Sequence, residues 1–235
     1  MNISDFLRQL SFGELSNLSI SNSGSGVIIE GKHPQLIMYM NTALTAVYSR
    51  FVLRQEEIIV TLETTITRYE LLSKYTVSAN DPTVTVHYIT DTVANPFQDD
   101  LIRVLEVWDQ YGKVPLNDAD NTGSVFTPNP LVLYVPTPVN AEPLTLIYQA
   151  EHAQLLDTGA GYLNQEIVIP HYLHNAFRKR VAHEVYSHMS GADNIMKGQE
   201  YLAGFEVDCL TVEQRDLASQ SAHGSLAKFD ERGFV

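Results

Sequence analysis

The period of the hydrophobic pattern changes twice along this 235-residue chain, and those changes constrain the fold more than any motif does. Leu36, Met40, Ala43, Leu44, Val47, Tyr48 and Phe51 recur at i, i+4, i+7, i+8, i+11, i+12 and i+15. That is one apolar stripe on a helix of about five turns, with Pro34 suited to its first position. From Glu57 the spacing shortens. "EIIVTLET", "TITRYEL", "TVTVHYIT", "LIRVLEVWD", "LVLYVP" and "LTLIYQAEH" are rich in β-branched and aromatic residues, and many alternate with period two. Turn signals separate them: "NDP" (80–82), "ANP" (94–96), "YG" (111–112), "NDADNTG" (117–123) and "TPNP" (127–130). After "DTGAG" (157–161) the helical period returns. Leu173, Phe177, Val181 and Val185 form a stripe with a strict spacing of four, in a helix that Pro170 opens and Gly191 is placed to end. Asp193 or its neighbour then caps a further helix, where Ile195, Leu202, Phe205, Cys209 and Val212 share one arc with Gly198. Gly204 lies nearby. Each glycine costs about 1 kcal/mol inside a helix, so close approach of another backbone is a reason to keep it.

This order predicts an α+β fold: a helical bundle of three long helices, with an antiparallel β domain inserted between the first and the second. Residues 1–56 hold an N-terminal segment and the first bundle helix, joined through the flexible "SNSGSG" (21–26). Residues 57–155 are the β region, 156–217 the two C-terminal bundle helices, and 218–235 an extended tail. Leu173, Phe177, Val181, Val185, Leu202 and Phe205 are the residues expected to pack the bundle or a ring wall.

Composition removes several functions. The formal net charge of -13 opposes a phosphate backbone, so nonspecific nucleic-acid binding is not expected. The "RKR" at 178–180 is the only compact basic run, and three such charges on a helix read as a solvated face. No apolar run approaches the roughly 18 residues of a membrane span. "MNISDFLRQL" lacks the pattern of a secretory signal. One cysteine, Cys209, makes neither an intramolecular disulfide nor a Cys-rich zinc site, so the chain needs no oxidising compartment.

Four of the eight histidines fall in "IPHYLHNAFRKRVAHEVYSHMSG" (169–191), whose "HEVYSH" looks like a zinc-protease signature. That signature needs histidines four apart, one above the other on a helix. His183 and His188 are five apart, which turns one about 140° from the other. His174 and His188 share a face but stand about 21 Å apart along a helix. His171 and His174 can meet, yet they make half a site without a third ligand. The stretch therefore reads as architecture, with no metal and no cofactor. Other signatures are also incomplete. There is no G-x-S-x-G elbow and no G-x-x-x-x-G-K-[ST] loop. Asp157-Thr158-Gly159 matches an aspartic-protease triplet without its second copy. Asp99-Asp100 is an acidic pair in a loop, and "NDADNTG" misses the glycine and glutamate of a calcium loop, so it reads as a solvated acidic turn.

Several phrases in order carry a resemblance. They are an amphipathic helix before the strands, "RYEL" (68–71), "PNPLVLYVPTP" (128–138), the strand end Tyr148-Gln149-Ala150 and "IVIP" (167–170). The helix of 169–191 and a second helix with a central "AGF" (203–205) follow. Over about residues 30–215 the chain resembles the head-to-tail adaptor (connector) proteins of short-tailed bacteriophages. The resemblance implies a helical bundle carrying a β domain, no enzyme activity and a structural role in the virion. Copies would form a ring, usually of twelve, beneath the portal, with tail or nozzle proteins attached below. DNA would pass through the ring without specific binding. Assembly would take place in the host cytoplasm and the final location would be the neck, with no membrane involved. The enlarged β region, about 100 residues, departs from the plainer one of the family and suits a tail-specific contact. In the tail, Leu226, Phe229, Arg232, Phe234 and Val235 are the expected contacts to the portal or a neighbouring subunit. The competing readings are a β-rich tail-tube or fibre-attachment protein of the virion, and a metallohydrolase using His171 and His174.

Overall fold

A computed structural model describes residues 1–16, 18, 28–79, 81–91, 96–215 and 217. The chain is α+β, with four α-helices and antiparallel sheets among the described residues. It divides into two compact units, one made of Met1–Phe51 with His152–Val235 and the other of Val52–Glu151.

In the first unit, α1 (Ile3–Phe12) is a helix that the sequence pattern did not single out. The side chain of Asn2 caps it by accepting from Asp5 N at 2.8 Å, a bond worth about 1 kcal/mol. Ile3, Phe6, Leu7 and Leu10 are buried, and the Phe6 ring lies 4.7 Å from that of Phe177. Helix α2 (His33–Arg50) has Pro34 in its first turn, and every residue of its expected stripe is buried, through Phe51 at its C-cap. The segment between residues 152 and 170 is tied to α2 by side chains that imitate a backbone ladder. Asn41 donates to Leu155 O (3.0 Å) and accepts from Leu155 N (2.9 Å), and Tyr48 OH donates to Val168 O (2.6 Å). Gln165 does the same for both backbone groups of Leu156.

A 3-10 turn at His171–Leu173 follows Pro170 and runs into α3 (His174–Ser187). Gly191 does not end this helix. It stands at the N-cap of α4 (Ala192–Gln214), at φ 109, a conformation that favours glycine. Helix α4 packs along α3, and Gly198 lies at the crossing. A Cβ on Gly198 would come within 2.9 Å of Ser187 Oγ and 3.3 Å of Ser187 N, which is the backbone approach expected of that glycine. At Gly204 the neighbour is instead the Lys179 side chain, 3.1 Å from such a Cβ.

The second unit has two sheets around one core. Strands β1 (Gln55–Thr61), β3 (Ile89–Thr90), β4 (Leu101–Trp108), β5 (Lys113–Val114) and β8 (Pro143–Ala150) form a five-stranded antiparallel sheet in the order β3-β1-β8-β4-β5. Strands β2 (Arg68–Glu70), β6 (Phe126–Asn129) and β7 (Val132–Tyr134) form a three-stranded sheet in the order β2-β7-β6. Ile58, Val60, Tyr69, Val107, Leu133 and Leu146 of both sheets meet in the shared core. Strand β4 has two bulges against β8. Leu101 faces Ala150 and Arg103 faces Gln149, while Val104 faces Tyr148 and Glu106 faces Ile147. Ile102 and Leu105 are thus extra residues, and Leu101, Val104 and Val107 are buried at a spacing of three where a regular strand would give two. Where the chain enters and leaves the unit, Ala150 N donates to Arg54 O (3.0 Å) and Arg54 pairs with Glu56 (2.9 Å) and Asp100 (3.2 Å).

The stretch "TVTVHYIT" is mostly not a strand: only Ile89–Thr90 pairs with β1. Asp81 takes over its start, because its carboxylate accepts from Thr83 N (2.8 Å) and Thr83 Oγ1 (2.7 Å) and its carbonyl from Val84 N (3.2 Å). Such local bonds compete with a ladder.

Candidate functional site

The histidines of 169–191 are each engaged locally. His183 Nδ1 lies 2.9 Å from Gly198 O on α4. His188 Nδ1 lies 2.7 Å from Glu184 O, and its ring stacks on Tyr39 at 5.1 Å. His171 and His174 do meet, with ring centres 4.8 Å apart, and His174 Nε2 is 3.2 Å from Ile169 O. Burial holds the His174 pKa below its usual value, with the charge of nearby His171 acting in the same direction. Among the described residues no set of three His, Cys, Asp or Glu side chains could hold a metal ion.

The "RKR" run is not a solvated face. Arg178 Nε lies 3.4 Å from Glu14, Lys179 Nζ 2.8 Å from Asp208 on α4, and Arg180 Nη2 2.8 Å from Glu184. The Arg180 guanidinium also lies over the Phe205 ring at 5.9 Å. The stems of these residues cover helix surface and their charges are matched inside the unit. At the end of α2, Arg50 reaches Glu206 (2.6 Å) and Glu213 (2.7 Å) of α4. That pairing pulls the Glu213 carboxyl below its ordinary range.

The acidic loops are also internally bonded. Asp99, at φ 59, accepts from both N and Oγ of Ser73. Asp100 accepts from Tyr148 OH at 3.1 Å. In 117–123, Asp118 Oδ1 accepts from Asp120 N and Asn121 Oδ1 from Gly123 N, so these oxygens hold the turn. Asp157 lies in the exposed loop before α3.

Leu173, Phe177, Val181, Val185 and Phe205 are buried inside the first unit, and Leu202 is half-buried. The buried five are covered by their own chain, and Leu202 is covered in part. Ile195, expected on the buried arc of α4, is 52% exposed. Ser187, the last residue of α3, lies beside Gly198, so the first turn of α4 runs past the end of its partner helix.

The surface that sequence reasoning missed is the opposite side of α4. Met196, Val207 and Leu210 are exposed there, together with Ala203. Met196, Ala203 and Leu210 recur every seven residues and Val207 lies beside them, a spacing that keeps one face toward a partner. The signal was present in the sequence, beneath the stronger inner stripe. The tail residues Leu226, Phe229, Arg232, Phe234 and Val235, and the segment 21–26, lie outside the described residues. No helix among the described residues is long and apolar enough to cross a membrane. No model of a known protein family matches the chain, and no curated protein matches it.

Proposed function

We propose that this chain is a structural virion protein, a head-to-tail adaptor of a short-tailed bacteriophage. Its copies form a ring of twelve beneath the portal and join the DNA-filled capsid to the tail. The fold we infer is a bundle of α2, α3 and α4 with the β unit inserted between α2 and α3. The adjacent entry and exit of that unit at Arg54 and Ala150 support the reading. The observation that carries it is the exposed apolar row on α4, formed by Met196, Ala203, Val207 and Leu210. A helix whose inner face is already satisfied by α3 keeps a second apolar face only at a cost in solubility, and a neighbouring subunit gives it a use. The chain acts without a cofactor and not as an enzyme. Its partners are other copies of itself, the portal and the downstream tail or nozzle proteins. Its acidic character suits a channel wall along which DNA slides without being held.

Electron microscopy of particles, with mass measurement of the purified protein mixed with its portal, tests this. The expected result is a closed ring at the neck that is lost when Val207 and Leu210 are changed to glutamate. A chain that stays monomeric with the portal, or one copy per particle, overturns it.

A further inference from the structure

The turn between β4 and β5 is a rigid mount for one aromatic side chain. Asp109 Oδ1 accepts from Tyr111 N (2.7 Å) and from Gly112 N (2.8 Å), while Asp109 N donates to Gly112 O (2.9 Å). Gly112, at φ 149, takes a conformation that other residues reach only under strain. On this turn Tyr111 is 85% exposed, whereas the other exposed tyrosines, Tyr134 and Tyr172, reach 39% and 40%. A tyrosine normally lays its ring on apolar surface, so a braced one standing in water is prepared for contact.

The same unit carries a pocket of about 460 Å³, whose lining includes Arg68, Glu70, Lys74, Tyr75, Val86 and Tyr88. Tyr75 stacks on Tyr88 at 4.8 Å, and Lys74 Nζ lies 4.7 Å from the centre of the Tyr75 ring. Glu70 offsets part of that charge at 3.6 Å, which leaves exposed Arg68 as the stronger cation on the rim. The volume is in the range that holds a small organic group. Sheet order fixes where pocket and tip sit. Residues 83–88 lead directly into β3, the strand at one edge, while Tyr111 is on the hairpin that ends in β5 at the other. Four strand spacings, roughly 19 Å in all, separate those edges.

We propose that copies of this chain join head to tail, with Tyr111 of one copy seated in the Tyr75/Tyr88 pocket of the next. A projecting tip on one edge and a receiving pocket on the other cannot meet within one chain, and between chains they form a heterologous contact. Charge favours it locally. The tip carries Asp109, with Asp118 and Asp120 on the loop after β5, and the pocket is lined by Arg68, Lys74 and Glu70, which leaves one positive charge in excess. In a chain of net charge -13, a cationic rim is where another copy is least repelled. One tyrosine buries about 150–250 Å², against the roughly 1,200 Å² of a stable complex. The contact is therefore weak for a single pair and is strengthened when many copies assemble together. Its closed, cyclic form rests on the ring reading above; the pairwise contact does not.

The test mixes two full-length variants, Tyr111→Cys and Thr85→Cys, under mild oxidation. Thr85 lines the pocket. A disulfide-linked heterodimer should exceed, by about fivefold, the yield with Val139→Cys, an exposed control on a different loop. In sedimentation, Tyr111→Ala should weaken self-association by about tenfold or more, the loss typical of a central aromatic anchor, and Tyr111→Phe by much less. Equal yields at residues 85 and 139, or Tyr111→Ala chains that associate like the wild type, overturn the proposal. Specific cross-linking without rings in the microscope keeps this contact and removes the ring reading. Rings that persist with Tyr111→Ala keep the ring and remove this contact.

Discussion

Helix α1 is ten residues long, below the length at which an isolated helix is stable in water. Its place against α3 therefore depends on side-chain packing, above all on Phe6 and Phe177, both fully buried with rings 4.7 Å apart and inclined at 34°. Changing either to alanine would cost about 3–5 kcal/mol. Two such losses would consume most of a typical stability of about 5–15 kcal/mol, so leucine is the better probe. Phe6→Leu and Phe177→Leu should each cost on the order of 1–2 kcal/mol, for the apolar atoms removed and the small cavity left. Aromatic pairs contribute about 0.5–1.5 kcal/mol beyond their buried area. The double variant should thus lose about 0.5–1.5 kcal/mol less than the sum of the single variants. Urea unfolding of all four proteins, followed by the helical circular dichroism signal, measures this cycle. A coupling below about 0.3 kcal/mol, the limit of ordinary additivity, would refute the docking of α1 on α3.

Gly198→Ala should destabilise the protein by about 1 kcal/mol, although alanine is the better helix former by a similar amount, because its Cβ would crowd Ser187. Adding Ser187→Ala should recover part of the loss in the same urea assay, since Oγ is the nearest atom. The His174 pKa is lowered by burial, so the unfolded chain takes up this proton near pH 6.5 and the folded chain only at lower pH. The unfolded state then binds more protons in that window, stability falls as pH drops below about 6.5, and His174→Gln should flatten that part of a stability–pH curve. Cys209 is fully buried, and burial pushes its thiol up to about 11. Thiol reagents at mildly alkaline pH should leave it unmodified until urea unfolds the chain, and early labelling would place it at the surface.

How far the sequence could be read depended on whether one interaction ruled a segment. The stripes of α2 and α3 and the strands β1 and β8 were legible because burial of one face dominates there. Helix α1 was legible as well, through Asn2 and the spacing of Ile3, Phe6, Leu7 and Leu10, but a ten-residue helix before a Gly/Ser stretch passes easily for a connecting segment. Residues 83–88 alternate as a strand should, yet Asp81 bonds locally to Thr83 and only two residues reach the sheet. Charge signs do not reveal partners distant in the chain, which is why Arg178, Lys179 and Arg180 read as solvated when Glu14, Asp208 and Phe205 meet two of them and cover the third. Nothing in a turn motif tells how far its side chain will project, so Tyr111 became visible only with the geometry of Asp109 and Gly112.

The paired bulges of β4 have a consequence for contacts between chains. Beyond Val107 and Trp108, which pair with β5, no described strand lies along the outer side of β4. A regular, flat strand in that position would be a template on which any extended chain could add itself. Ile102 and Leu105 interrupt the repeat of donors and acceptors twice within six residues, and exposed Arg103 sets a charge beside the break. Strand addition there finds no register to continue, so crowding many copies together does not seed a growing β-aggregate from this edge.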